Sequence, residues 1–213
     1  MLDLSIFANY WVPWLVFGLF HTLLASLQVR RVLNKIGLTD QQHRLAFNVF
    51  AGVSLPMVLL FVPIPTVAVI GLLDKPLFQI IIVVSIFILA GVIAVLGLSA
   101  WNLREFAGLS AESSSLQTNG IYAFARHPVY TAALVGLVGL TVAEFSELTL
   151  AWLLGMGGYF VVGSIPEEWK LARVFPQYNN YKRHVGRFFP SHPHHWRYLW
   201  STLNNSESNQ VSE

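Results

Sequence analysis

Residues 116–130, LQTNGIYAFARHPVY, and residues 165–190, IPEEWKLARVFPQYNNYKRHVGRFFP, decide how this chain reads. Two apolar runs, 129–143 and 147–164, lie between their charged groups, so the charges bracket a hydrophobic hairpin. That arrangement can hold a polar cofactor against a lipid bilayer, because ionisable side chains at membrane depth are retained only where they have partners or a ligand.

Working outward, three more apolar runs precede the hairpin, at 6–26, 45–62 and 77–100. A helix needs about 20 apolar residues to cross a bilayer core, so the simplest count is five transmembrane helices. The composition agrees: 54% hydrophobic and 11% charged over 213 residues, with a mean hydropathy of +0.55. A soluble domain carries about 25% charged residues. The run at 129–143 is short, which predicts a tilted hairpin or one that begins inside a cavity. The expected fold is therefore all-α and polytopic.

Twelve of the thirteen Lys and Arg residues fall on one side of such a five-span layout, and Lys75 alone falls on the other. The positive-inside rule then places the N-terminus outside and the C-terminus in the cytoplasm. No basic residue precedes the first run, and no small-residue cleavage site follows a short apolar region, so the N-terminus reads as a membrane helix and not a cleaved signal. The chain has no cysteine, which excludes a disulfide framework, thiolate metal sites and a cysteine nucleophile. The net charge of +2 lies in residues next to membrane segments, where it meets headgroups, so nucleic acid is not an expected partner. Length and composition indicate one domain, residues 1–200. Its cofactor-binding half covers about 101–190, and residues 201–213 form a disordered polar tail. The Ser-rich loop at 101–127 is long enough to be functional.

Within the bracketing stretches, Pro128 suits the first turn of a helix and keeps His127 extended, so Arg126 and His127 stand at a helix entrance. That entrance attracts anions, and Arg126 offers bidentate donors to a carboxylate or phosphate; the competing reading is an arginine on headgroups. Ser164 followed three residues later by Glu167, with Pro166 between, reads as a capping box that starts a new helix. Glu167 is then a cap or a ligand, while Glu168 is not needed by the cap and either stabilises the first helical turn or meets a cation. Phe175, Tyr178, Tyr181, Lys182, Arg183, Arg187, Phe188 and Phe189 predict an amphipathic C-terminal helix, either a lid over the hairpin or an interfacial anchor.

These residues resemble the C-terminal half of the membrane-embedded methyltransferases related to isoprenylcysteine carboxyl methyltransferase and phospholipid N-methyltransferase. Their pattern is close to L-x-T-x-G-x-Y-x-x-x-R-H-P-x-Y, then E-E, then paired tyrosines and R-x-x-P. Leu116, Thr118, Gly120, Tyr122, Arg126, His127, Pro128 and Tyr130 match the first part; Glu167, Glu168, Tyr178, Tyr181, Arg187 and Pro190 match the rest. His21-Thr22-Leu23-Leu24-Ala25 and Arg44-Leu45-Ala46-Phe47-Asn48 are similar to the bacterial branch of NnrU-like proteins and methanethiol S-methyltransferases. The chain departs from the pattern at Phe175-Pro176, which stands for Phe-Gly, and at Thr131-Ala132.

The resemblance implies S-adenosylmethionine bound at a cytosol-facing site of a bacterial inner-membrane enzyme, and a lipophilic or small membrane-permeable methyl acceptor. The cofactor-binding residues it implies are Gly120, Tyr122, Arg126, His127, Pro128, Tyr130, Glu167, Glu168, Tyr178 and Tyr181. The catalytic residues it implies are His127, Glu168 and Arg187, and no metal is implied. Arg126 or the helix start would hold the cofactor's carboxylate, and Glu167 or Glu168 its ammonium. An NADPH-dependent membrane reductase and a non-catalytic NnrU-like protein are the alternatives, since reductases share a similar RHP and paired-Glu ending. His21 in the first run reads as an interhelical hydrogen bond, a substrate contact or a ligand to haem or metal. His192, His194 and His195 read as an interfacial surface in preference to a metal site. Gly155, Gly157, Gly158 and Gly163 would permit close helix packing.

Overall fold

The computed structural model describes residues 4–65, 71–101 and 115–210. Arg104 and most of the Ser-rich loop lie outside the described residues. The first apolar run forms α1 (Leu4–Leu24), which turns by 53° into the short α2 (Leu27–Lys35). Ser26 makes the break: its extended backbone caps α2, its hydroxyl accepting from Val29 N at 3.3 Å. The Leu24 carbonyl freed at the bend is met by His43 Nε2 at 3.0 Å. After a turn through Gly37, at φ +98, Thr39 and Gln42 form a capping box that starts α3 (Asp40–Phe61). Arg30 ties the turn to α3 through Asp40, with Nε at 2.7 Å from Oδ1.

A 3₁₀ turn (Gly71–Asp74) leads to α4 (Leu77–Ser99), followed by the one-turn α5 (Ile121–Phe124) and α6 (Pro128–Ala143). Next come α7 (Glu147–Val174), α8 (Tyr178–His184) and α9 (Pro193–Gln210). The described residues contain no β-strand, only an isolated parallel bridge between Ala125 and Gly186. The main packing pairs are α4 with α6, α1 with α7, α6 with α7 and α1 with α3. Small residues set two of these approaches. A Cβ on Gly97 would come within 2.9 Å of Val129, and one on Gly155 within 2.8 Å of Trp14. Gly157 also faces a packed neighbour, whereas Gly158 has open space.

The outer surface of α1, α3 and α4 is apolar, with Leu19, Leu60, Leu77 and Val95 all mostly exposed. A bundle that turns large aliphatic side chains outward is built for lipid. By length and composition, α3, α4 and α7 can cross a membrane, and α1 with α2 makes a fourth span if the bent pair counts as one. The sequence reading counted five. The difference comes from the bend in the first run and from α6, whose 16 residues reach only roughly 24 Å at 1.5 Å per residue.

Two further expectations change. The predicted capping box at Ser164 does not form, because α7 continues unbroken through Pro166, and the Ser164 hydroxyl donates back to the Val161 carbonyl at 2.7 Å. The helix is capped instead at Ser146, which exchanges hydrogen bonds with Thr149. With 28 residues, α7 is roughly 42 Å long, about 12 Å more than a bilayer core, so one end stands clear of it. The single amphipathic C-terminal helix is also broken: α8 stops at His184, a bent segment follows, and α9 runs through Gln210, past the expected start of a disordered tail.

Candidate functional site

The site is built where the non-helical Ala125–His127 segment meets the bent segment after α8. Arg126 N donates to the Gly186 carbonyl and His127 N to the Arg187 carbonyl, both at 3.0 Å. Pro128 begins α6, as expected, which keeps His127 out of the helix and lets this pairing form. Thr131 fastens the second segment from the helix side, its hydroxyl donating to the Phe188 carbonyl at 2.8 Å. Gly186 is required here, since a Cβ at that position would fall on the Phe189 carbonyl.

The two segments and the end of α7 converge on Glu168, whose side chain is 1% exposed. Its Oε1 accepts from Arg126 Nε at 2.9 Å and Nη2 at 2.6 Å. Arg187 reaches both oxygens at 3.2 Å, and Lys182 Nζ lies 3.3 Å from Oε2. The remaining Arg126 nitrogen, Nη1, donates to the Lys182 carbonyl at 3.1 Å and to the Val185 carbonyl. A buried carboxylate in low dielectric is retained only when paired and hydrogen-bonded, and this one has three cations around it.

Glu167, one residue earlier, faces a different environment. Its Oε2 accepts from the Tyr130 hydroxyl at 3.0 Å and lies 3.7 Å from His127 Nδ1. The His127 ring stacks on Tyr130, with centroids 5.3 Å apart and planes 11° apart, and Phe160 packs against Tyr130 with its centroid 4.9 Å away. His127 Nε2 is 3.3 Å from Glu168 Oε1 but is not aligned to hydrogen-bond it, so this buried nitrogen has no partner. The sequence reading left Glu167 as ligand or cap; it caps nothing and remains partly open to solvent.

The predicted tyrosines divide. Tyr130 stands in the site, whereas Tyr178 and Tyr181 are buried in a cluster with Leu171, Phe175 and Val185 beneath it. Burial pushes both phenols up; the Glu168 charge adds to this for Tyr178 and the neighbouring Tyr178 ring for Tyr181. Tyr181 donates to the Tyr122 carbonyl at 2.6 Å, and the Tyr122 hydroxyl accepts from Trp101 Nε1 at 2.8 Å. This chain of contacts holds the Arg126 segment against α8. Gly120, at φ +62, starts α5 and shapes the same turn.

Arg126, read from the sequence as an anion-binding residue, directs four of its five N–H groups to the protein, Nε and Nη2 to Glu168 and Nη1 to two carbonyls. Sequence reasoning missed the pairing through Gly186 and the place of Lys182 beside Glu168; the glycine within Val185-Gly186-Arg187 is the signal that pointed there. His21, away from this cluster, makes an interhelical hydrogen bond with the Tyr159 hydroxyl at 2.6 Å. Among the described residues no group of three or more His, Asp or Glu side chains is placed to hold a metal ion.

Against this geometry, the comparisons with known proteins are specific. Residues 77–178 match the phospholipid methyltransferase family. The matched segment runs from the start of α4 to the first residue of α8, taking in Arg126, His127, Glu167 and Glu168 and stopping before Lys182 and Arg187. The chain is also 36% identical over 81 residues to the nickel-cobalt-cadmium resistance protein NccN of Alcaligenes xylosoxydans xylosoxydans, covering 37% of this chain and 38% of that protein. It is 31% identical over 80 residues to the cobalt-zinc-cadmium resistance protein CzcN of Cupriavidus metallidurans, covering 37% of each. The chain therefore spans under two fifths of the length of these relatives. No solved structure matches.

Proposed function

We propose that this protein is an integral-membrane methyltransferase that uses S-adenosylmethionine and methylates a lipophilic or small membrane-permeable acceptor, through a site facing the cytoplasm. The observation that carries the reading is the divided chemistry at the end of α7. Glu167, partly open beside the stacked faces of Tyr130 and His127, suits a cationic group, and the Glu168 cluster presents cations next to it. A donor with a sulfonium, an ammonium and a carboxylate fits both halves.

When bound, S-adenosylmethionine supplies an electrophilic methyl group. The acceptor's lone pair forms the new bond to that carbon while the electrons of the carbon–sulfur bond stay on sulfur. Glu167 and Tyr130 orient the cationic part. Arg187, whose Nη1 is not used on Glu168, would hold the carboxylate, with Arg126 braced against Glu168 beside it. Glu168 holds Arg126, Arg187 and Lys182 in place. A carboxylate acceptor needs no base; for an amine or thiol, His127 is the side chain that would take the proton. Alignment of the two reactants in a dry pocket supplies most of the acceleration in such a displacement.

The test is calorimetric titration of the detergent-purified protein with S-adenosylhomocysteine and with NADPH, alongside Glu167→Gln and Arg187→Ala. Binding of S-adenosylhomocysteine that weakens in both variants is expected. NADPH binding alone would transfer the site to reductase chemistry, and binding of neither ligand would leave a non-catalytic membrane protein.

A further inference from the structure

His21, which the proposed methyl-donor site does not use, stands in the last turn of α1 and shares a hydrogen bond with the Tyr159 hydroxyl through Nδ1 at 2.6 Å. Gly18, one turn earlier, permits that contact, since a Cβ there would come within 2.9 Å of the Tyr159 ring. The second ring nitrogen, Nε2, has no hydrogen bond among the described residues and is not sealed from the surface. A polar nitrogen at membrane depth is retained where another polar group or a ligand meets it. The walls around the pair are aromatic: Phe17 and Phe47 lie 5.3 and 4.7 Å from the His21 ring, centroid to centroid. No charged side chain among the described residues acts on that ring.

A row of rings leads from His21 to the donor site. Tyr159 lies 5.7 Å from His21, Phe160 5.7 Å from Tyr159, Tyr130 4.9 Å from Phe160 and His127 5.3 Å from Tyr130. The Glu167 charge acts on the hydroxyls of both Tyr130 and Tyr159, so the two ends of the row belong to one neighbourhood. Tyr159 precedes Glu167 by two turns of α7, roughly 12 Å along the axis, which places the His21 end in the apolar part of the helix.

We infer that His21 and Tyr159 form the acceptor end of this site and hold the hydroxyl of a neutral aromatic molecule entering from the bilayer, an inference that rests on the methyltransferase reading and names its substrate class. A hydroxyl both donates and accepts, so it meets Nε2 in either tautomer of the His21–Tyr159 pair, which a carboxylate or an ammonium does not. A charged head would also lack a counter-charge at His21. A planar ring suits the rest of the molecule, because offset and edge-to-face contacts with Phe and Tyr side chains favour an aromatic body beyond its buried area. On transfer, a lone pair of the hydroxyl oxygen forms the bond to the methyl carbon and the carbon–sulfur electrons stay on sulfur. The hydroxyl proton goes to His21 Nε2, in the tautomer whose Nδ1–H faces Tyr159.

Naphthol, methylnaphthalene and naphthoate, substituted at the same ring position, are the probes. The unfolding midpoint of the full chain in non-ionic detergent is followed against the free concentration of each. The expected result is a saturable rise for naphthol, half-complete at a concentration about tenfold below that for methylnaphthalene, from one hydrogen bond made in an apolar site. His21→Leu and Tyr159→Phe should bring the two curves together, whereas Phe20→Leu, on the exposed side of α1, should leave them apart. S-adenosylhomocysteine binding should be the same in all three variants, which a general loss of structure would not allow. If His21→Leu strands the Tyr159 hydroxyl and does not fold, the double variant with Tyr159→Phe carries the same comparison. Equal curves in the wild type, a preference that survives His21→Leu, lack of saturation, or tighter binding of naphthoate than of naphthol would overturn the inference. A naphthol preference lost in His21→Leu, without S-adenosylhomocysteine binding by the wild type, would keep the hydroxyl site and remove the methyltransferase reading; S-adenosylhomocysteine binding with equal curves would do the reverse.

Discussion

Removing Glu168 and Arg126 singly and together tests whether the pair is the structural centre of the site. Both side chains are deeply buried, 1% and 6% exposed, so solvent screening gives little relief when one partner is lost. Glu168→Leu leaves the Arg126 guanidinium uncompensated and should cost about 3–5 kcal/mol, the range for breaking a buried ion pair. Arg187 and Lys182 are 30% and 42% exposed and can turn toward water, which keeps the loss near the lower end. Arg126→Met costs a similar amount for the stranded carboxylate, plus about 1 kcal/mol for each of the Lys182 and Val185 carbonyls left without a donor. The double variant has no uncompensated charge at the centre of the cluster. It should lose about 3 kcal/mol, far below the summed singles, which is a coupling of several kcal/mol. The assay is unfolding of the purified proteins in detergent. Additive losses, with the double variant as destabilised as the two singles together, would refute the assignment of Arg126 and Glu168 as a coupled pair.

Two further predictions concern the support of the site. Gly186→Ala drives a methyl group onto the Phe189 carbonyl and should lower the unfolding midpoint and abolish S-adenosylhomocysteine binding, whereas Gly158→Ala, in open space, should alter neither. Because burial raises the Tyr178 and Tyr181 phenols, both should stay un-ionised in the folded protein after exposed tyrosines have titrated. The unfolded chain releases these protons near pH 10 and the folded chain does not, so their contribution to stability is present below about pH 10 and is lost as pH rises above it. Absorbance titration near the phenolate band, followed with unfolding, should show the late phenols ionising together with loss of structure, and early ionisation would contradict their burial.

What was legible in the sequence was local. Pro128 marked the start of α6 and kept His127 out of the helix. The apolar runs located α1, α3, α4, α6 and α7, but not that the first bends at Ser26 or that α6 is too short to cross on its own. Ser164-Ile165-Pro166-Glu167 carried a helix-start pattern, yet the preceding turns of α7 continue through it. A proline removes one hydrogen bond and does not end a helix packed along α1 and α6. The Arg126–Glu168 pair joins residues 42 positions apart, and no periodicity signals such a contact. The same holds for the Gly186 bridge, which depends on the path of the chain after α8.

The central claim is methyl transfer that depends on Glu168. Membranes containing the protein or its Glu168→Gln variant are incubated with S-adenosylmethionine labelled in the methyl group, and label is counted in the organic-extractable and volatile fractions. The account predicts incorporation into one of these fractions by the wild-type protein and loss of nearly all of it in the variant. Equal incorporation by both proteins, or none above protein-free membranes when S-adenosylmethionine is shown to bind, would contradict it.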